Sequence, residues 1–261
     1  MTALTVNCLI LATVLLVILN PFARPVTAAY KIGEYCRKGL MPDQNGQKDY
    51  ERSTEWYKKA SSRGHTMAQY RLGRMVHHGK EGIPQDLAAA ASFYRLAAEH
   101  GHMRSQFYLG FFFLKGEGVP VSHREAARLF SLAAAQGDAE SQVCMATMYR
   151  HGHGVLRSES QACDLLATAA AQGSVQAQVE LGLSYSRGGG VKRSDVTAVK
   201  WWEIAATHGD PQALFLLGQA HEKGTGLDGK IDCMRAVNLF QESASLGYQP
   251  AIDALAELGL G

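Results

Sequence analysis

The chain has 261 residues, with 26 Lys and Arg against 24 Asp and Glu, for a formal charge of +2. That balance leaves no electrostatic footprint for a polyanion, so no nucleic-acid partner is expected. Hydrophobic residues make up 46%, enough for an ordinary buried core, and abundant Ala and Gly point to helices punctuated by Gly turns.

Residues 1–23 stand apart. No charge occurs from Ala3 to Leu19, and LILATVLLVIL (9–19) is an apolar run unlike any amphipathic helix. It reads as a targeting or membrane segment, near the lower length limit for spanning a bilayer. Two fates stay open. Val26-Thr27-Ala28 could be a cleavage motif, giving an exported protein. A retained anchor would give a membrane-associated one. The nearby positive charges, Arg24, Lys31, Arg37 and Lys38, lie on the C-terminal side of the run, unlike those of a typical signal peptide.

Beyond this segment Gly recurs at 64, 101, 137, 173, 209 and 247, at spacings of 37, 36, 36, 36 and 38. A fixed period of this size predicts stacked supersecondary units. Counted from each Gly, position +4 is small (Ala68, Ser105, Ser141, Ala177, Ala213, Ala251), +8 is Leu or Met, and +9 is Gly or Ala. Position +12 is apolar at Val76, Phe113, Tyr149 and Tyr185, with His221 the exception. The +4, +8, +12 series is expected to be the buried face of a helix, here termed helix A. The small residue at +9 would let a second helix approach closely.

Helix A should end at Gly79, Gly116, Gly152, Gly188 and Gly224, where left-handed geometry suits Gly. The residue before each (His78, Lys115, His151, Arg187, Lys223) is basic, which suits a helix C-terminus. After a Gly-rich turn, Asp49, Asp86, Ser122, Ser158, Ser194 and Asp232 are set to cap helix B. Ser122 with Glu125, and Ser158 with Gln161, also read as capping boxes. Residues 24–64 form a divergent first repeat, with Ile32, Gly33 and Cys36 in the +8, +9 and +12 slots and a longer turn, Gly39 to Lys48. Five full repeats occupy 65–247, and 248–261 is a lone helix A expected to cap the stack.

The composite pattern LGxxYxxGxGVxxDxxxAxxWYxxAAxxG resembles the Sel-one-like repeat, a relative of the tetratricopeptide repeat, departing from it at Ala146 and His221. The resemblance implies an all-α, right-handed α/α superhelical solenoid in which helix A lines the concave surface. It also implies a non-enzymatic scaffold or adaptor that binds a protein segment on that surface. The rival reading is an accessory modulator of a cell-envelope or polysaccharide-processing enzyme, or a hydrolase itself.

No motif for a nucleophile, a zinc protease or a phosphate loop occurs, so neither catalysis nor a cofactor is expected. His151-Gly152-His153 falls on the C-terminal cation slot and a variable loop slot, so no metal is assigned to it. Cys36, Cys144, Cys163 and Cys233 include no CxxC and no pair placed to form a bridge; free thiols are expected.

The stretch QFYLGFFFLKGEGV (106–119) crowds five aromatic residues into one helix A. Leu109, Gly110 and Phe113 fill core slots, and Phe107 and Phe112 are also expected to be buried. Tyr108 and Phe111 fall on slots +7 and +10, which hold Arg71 and Arg74 one repeat earlier. Slots +3, +7, +10 and +14 make one stripe along the helix and are read as wet. Arg71, Arg74, Arg104, Tyr108, Phe111 and Lys115 are therefore the candidate partner-binding residues, suited to an acidic or amphipathic segment.

Overall fold

Most helices start where a polar side chain can accept the orphan amides of the first turn; Tyr248, before the last helix, makes no such bond. A computed structural model describes residues 25–41, 43, 46–79 and 82–260, and among them the chain is all-α with no strand. The apolar segment 1–23 lies outside the described residues. No helix among those described is long and apolar enough to cross a membrane.

The chain forms two units, Met1–Leu132 and Ala133–Gly261. The first begins with α1 (Pro25–Arg37), α2 (Tyr50–Ser61), α3 (Thr66–His78), α4 (Leu87–Glu99) and α5 (Met103–Lys115), and α6 (His123–Ala135) follows. The second contains α7 (Ala139–His151), α8 (Glu159–Ala171), α9 (Val175–Arg187), α10 (Asp195–Ala206), α11 (Pro211–Lys223), α12 (Cys233–Ser245) and α13 (Gln249–Glu257). Odd-numbered helices are helix A and even-numbered ones helix B.

The six expected caps of helix B all form. Asp49, Asp86, Ser122, Ser158, Ser194 and Asp232 each accept the amide three residues on. The capping boxes are only half made. The amides of Ser122 and Ser158 donate to the carbonyls of Phe113 and Tyr149, so they are not available to Glu125 or Gln161. Glu125 pairs with Arg128 at 3.0 Å.

That amide bond recurs in every hairpin: the helix-B cap donates to the carbonyl of the +12 residue of helix A, from Asp49 onto Cys36 to Asp232 onto His221. It also explains a correction. Position +12 is not the buried slot; Val76, Phe113, Tyr149 and Tyr185 are half-buried. Phe112, Met148, Ser184 and Ala220, at +11, are buried instead. The +4, +8, +11 series follows the helical turn more closely, and +12 sits at the edge where the chain leaves for helix B. Cys36 is the one +12 residue that is fully buried.

The +9 slot shows why the hairpins pack. A Cβ built at Gly73 would meet the Tyr94 ring at 2.7 Å, and one at Gly110 would meet Phe130 at 2.9 Å. The same clash links Gly33 with Tyr57, Gly182 with Trp202, and Gly218 with Phe240. Ala146 is the exception among these six repeats, and the helix-B residue eight past the cap is there Leu166, buried in the same cluster. Where the facing side chain is an aromatic ring the slot is Gly; where it is Leu the slot holds Ala.

Candidate protein-binding site

Helix A carries a set of caps that the repeat pattern alone did not reveal. His65, His102, Asp138, Ser174 and Asp210, each one residue past the period-marking Gly, accept the amide three residues on. At His65 and His102 the acceptor is the ring Nδ1, at 3.2 Å in both. Burial lowers the pKa of both rings, and the charges of Arg71 and Arg104 add to this at His102. Four buried glutamines at +5 were missed as well. Gln69, Gln106, Gln142 and Gln178 donate to the carbonyls of Ser61, Ala98, Ala134 and Ala170, tying helix A to the end of the preceding helix B. The recurrence of Gln at that one slot was the available signal.

The structure places the six candidate residues on α3 and α5, as the register requires, but not on a uniformly wet stripe. Arg71, Arg74, Arg104, Tyr108 and Phe111 are half-buried, and Lys115 is exposed. Tyr108 stacks on Tyr94 with ring centroids 5.3 Å apart and 15° between planes. Tyr70 and His77 approach it at 6.3 and 6.0 Å. Phe111 meets Phe107 at 4.9 Å and Phe130 at 5.3 Å, edge to face. The rings therefore cover their neighbours with one side and leave the other partly open. Arg104 lies over Phe107 and Tyr108 at 4.7 and 5.5 Å, and Lys115 over Phe111 at 5.9 Å. Tyr108 and Phe111, both half-buried, thus each have a cation over the ring.

Arg71 does not stand free. Its Nε is 2.9 Å from Glu34 Oε1 of the first repeat, although the N–H is not aimed at that oxygen. Glu34 also accepts from Arg37 Nη2 at 2.8 Å and from Tyr57 Oη at 2.6 Å. Burial alone would raise the Glu34 carboxyl. The hydrogen bonds from Arg37 and Tyr57 and the charges of Arg71 and Arg37 outweigh it and hold the pKa at about 2. An analogous tie between successive A helices occurs in the second unit, where Arg150 Nη1 meets Glu180 at 2.6 Å. Arg74 makes no ion pair among the described residues, and its Nε is buried without a hydrogen-bond partner.

Between α1, the start of α2 and α3 lies a cavity of about 170 Å³, lined by Arg37, Tyr50, Arg71, Arg74, Met75, His78 and Ile83. Arg37 and Glu34 sit in the divergent first repeat; the sequence singled out Arg37 only as a charge flanking segment 1–23, and Glu34 not at all. Elsewhere Cys36, Cys144, Cys163 and Cys233 are free thiols, and burial pushes Cys144 up to about 12. Among the described residues no group of three or more His, Cys, Asp or Glu could hold a metal ion.

The model of the Sel1 repeat matches six times, at residues 26–65, 66–102, 104–138, 139–174, 175–210 and 211–248. The chain belongs to the Sel1 repeat family. The first match starts inside α1, so the divergent first repeat is a member of the series. Among solved structures, the chain is similar to a protective antigen of uropathogenic Escherichia coli with an SLR fold, at TM-score 0.79 and 33% identity over 90% of this chain and 50% of that one. It is also similar to a Sel1 repeat protein from Oxalobacter formigenes, at TM-score 0.72 and 28% identity over 89% of this chain and 65% of that one. The chain thus spans half the length of the first and under two-thirds of the second. No curated protein matches it. The fold is an all-α helical repeat of the solenoid class. Sel1 repeat proteins in general mediate protein–protein interaction and are not catalytic.

Proposed function

We propose that this chain is a non-enzymatic scaffold that holds a segment of a partner protein along the helix-A face of its first repeats, on α3 and α5. The observation that carries the reading is the pairing of half-open rings with cations at one place: Tyr108 and Phe111 beside Arg104 and Lys115, with Arg71 and Arg74 one repeat earlier. Aromatic area supplies affinity, and the cations orient an acidic or amphipathic segment and speed its encounter. In this reading the helix-A face is the concave one. The apolar segment 1–23 places the scaffold at a membrane or directs its export; mass spectrometry of the mature N-terminus separates the two.

The test is site-specific photocrosslinking in the host cell, with the reactive group at Lys115 on helix A or at Arg128 on the exposed side of α6. One partner should be captured from position 115 and not from 128. Binding of that purified partner should weaken at least tenfold, and lose most of its salt dependence, in Arg104→Glu with Lys115→Glu. Capture from position 128 alone, or binding indifferent to the double charge reversal, refutes the surface.

A further inference from the structure

We propose that the cavity framed by Arg37, Arg71 and Arg74 is a carboxylate-binding pocket, built to take the side chain of a Glu or Asp from a bound peptide. This deepens the scaffold reading and rests on it. The chemistry begins with charge. Three guanidinium groups meet here, and Glu34 is the one carboxylate that any of them contacts among the described residues. Arg37 and Arg71 share it, and Arg74 has none. No described residue lining the cavity is acidic.

Hydrogen bonding points the same way. The Nε atoms of Arg37, Arg71 and Arg74 are each buried without a hydrogen bond, although that of Arg71 lies 2.9 Å from Glu34 Oε1. Folded chains almost always satisfy buried polar groups, so Arg74, with neither an ion pair among the described residues nor a partner at Nε, is the guanidinium left over beside this cavity. Among the described residues, the one carboxylate that these arginines contact, Glu34, is already engaged by Arg37, Tyr57 and Arg71.

The cavity has room for a second carboxylate. Its volume of about 170 Å³ is well above the roughly 10–15 Å³ that one water needs by a comparable measure. A carboxylate with a few waters fits. Guanidinium forks match the two oxygens of a carboxylate, and a fork held in place loses less freedom on binding. Glu34 does the holding: it fixes Arg37 and Arg71 from the side, with Tyr57 behind it. Met75 and Ile83 complete the wall with apolar surface, which suits the methylenes of a Glu side chain. The pocket also lies on α3, the same helix A that carries the proposed binding stripe, so a segment lying along that face passes over it.

The experiment uses the full chain and a fluorescent peptide with a central Glu-Glu-Leu-Glu sequence, beside its Gln-substituted twin and inorganic phosphate. Binding is followed by anisotropy and by the Nε–H signals of the arginines in ¹⁵N–¹H spectra. The acidic peptide should shift the signals of Arg37, Arg71 and Arg74, and the Gln twin should bind at least tenfold more weakly. Arg74→Gln should weaken the acidic peptide about tenfold with the melting curve unchanged, because Arg74 makes no ion pair among the described residues. Arg74→Lys, which keeps the charge and loses the fork, should fall between. Three results overturn the pocket: arginine signals that ignore the acidic peptide, equal affinity for the Gln twin, or signals moved by phosphate alone. None of these bears on capture at Lys115, so the pocket can fail while the scaffold stands, and the reverse.

Discussion

At the scale of single residues, the two histidine caps make a contribution that changes between pH 7 and 5. A ring must be neutral to accept an amide at Nδ1, and a cation is also disfavoured at a helix N-terminus. The folded pKa values of His65 and His102 lie below the unfolded value, which is about 6.5. Stability from these caps is therefore complete above about pH 6.5 and is lost as pH falls through the folded values, up to about 1 kcal/mol per cap. We expect His65→Asp with His102→Asp to flatten the fall in the urea midpoint between pH 7 and 5, since Asp caps α7 and α11 in the same slot. An unchanged slope would show that the rings are not caps in solution. Glu34 acts at lower pH. Its pKa of about 2, against 4.5 for the free side chain, gives stability that is present above about 4.5 and lost as pH falls towards 2. The helix-B caps were legible because Asp and Ser are the usual cap residues and recur on a fixed count. The helix-A caps were hidden because the slot changes chemistry from His to Asp to Ser, and the buried glutamines because a polar residue is not read as core.

At the scale of the helix pair, the match between slot +9 and the facing side chain is a test of register. Gly182→Leu drives a side chain into Trp202, whose Nε1 donates to Val179 at 3.3 Å. We expect a loss of about 1–3 kcal/mol or more, read from chemical denaturation; an unchanged midpoint would mean that the hairpins do not pack through this slot. The fourth repeat offers the inverse experiment. Leu166→Trp should overpack against Ala146 and destabilise by about 1–3 kcal/mol. Adding Ala146→Gly should restore part of that loss, with a favourable coupling of at least about 0.5 kcal/mol. Simple additivity would refute the size match. The hairpin core was largely legible, because period and residue size point to the same face. The candidate site was legible only as a stripe. What each stripe residue touches comes from neighbouring elements, Tyr94 beneath Tyr108 and Glu34 beside Arg71, and slot counting within one helix does not show which side chain arrives from the next.

At the scale of the whole chain, stability in a repeat array is a sum of neighbour terms, and ends must be covered. Helix α13 is expected to do this for the second unit, where Leu255 is buried with Ala236 and Phe240 and Tyr248 lies 5.5 Å from Phe215. Removing residues 248–261 should bare those rings and give a chain that self-associates in sedimentation velocity. Hydrogen exchange should quicken in α11 and α12 while α7 and α8, two repeats back, keep their protection. A monomer with unaltered exchange would show that α13 is dispensable. The amide bond that closes each hairpin has a different consequence. It spans nine residues from Phe113 to Ser122 and thirteen from Cys36 to Asp49, and it forms in both. The two helices are latched at the base of the turn, so the residues beyond the latch are free of any duty to hold them together. The first turn, where a Cβ built at Gly46 would meet nothing within 4 Å, is thus a site where sequence can be added: a peptide epitope grafted after Gly46 should be displayed on a chain whose melting temperature barely moves.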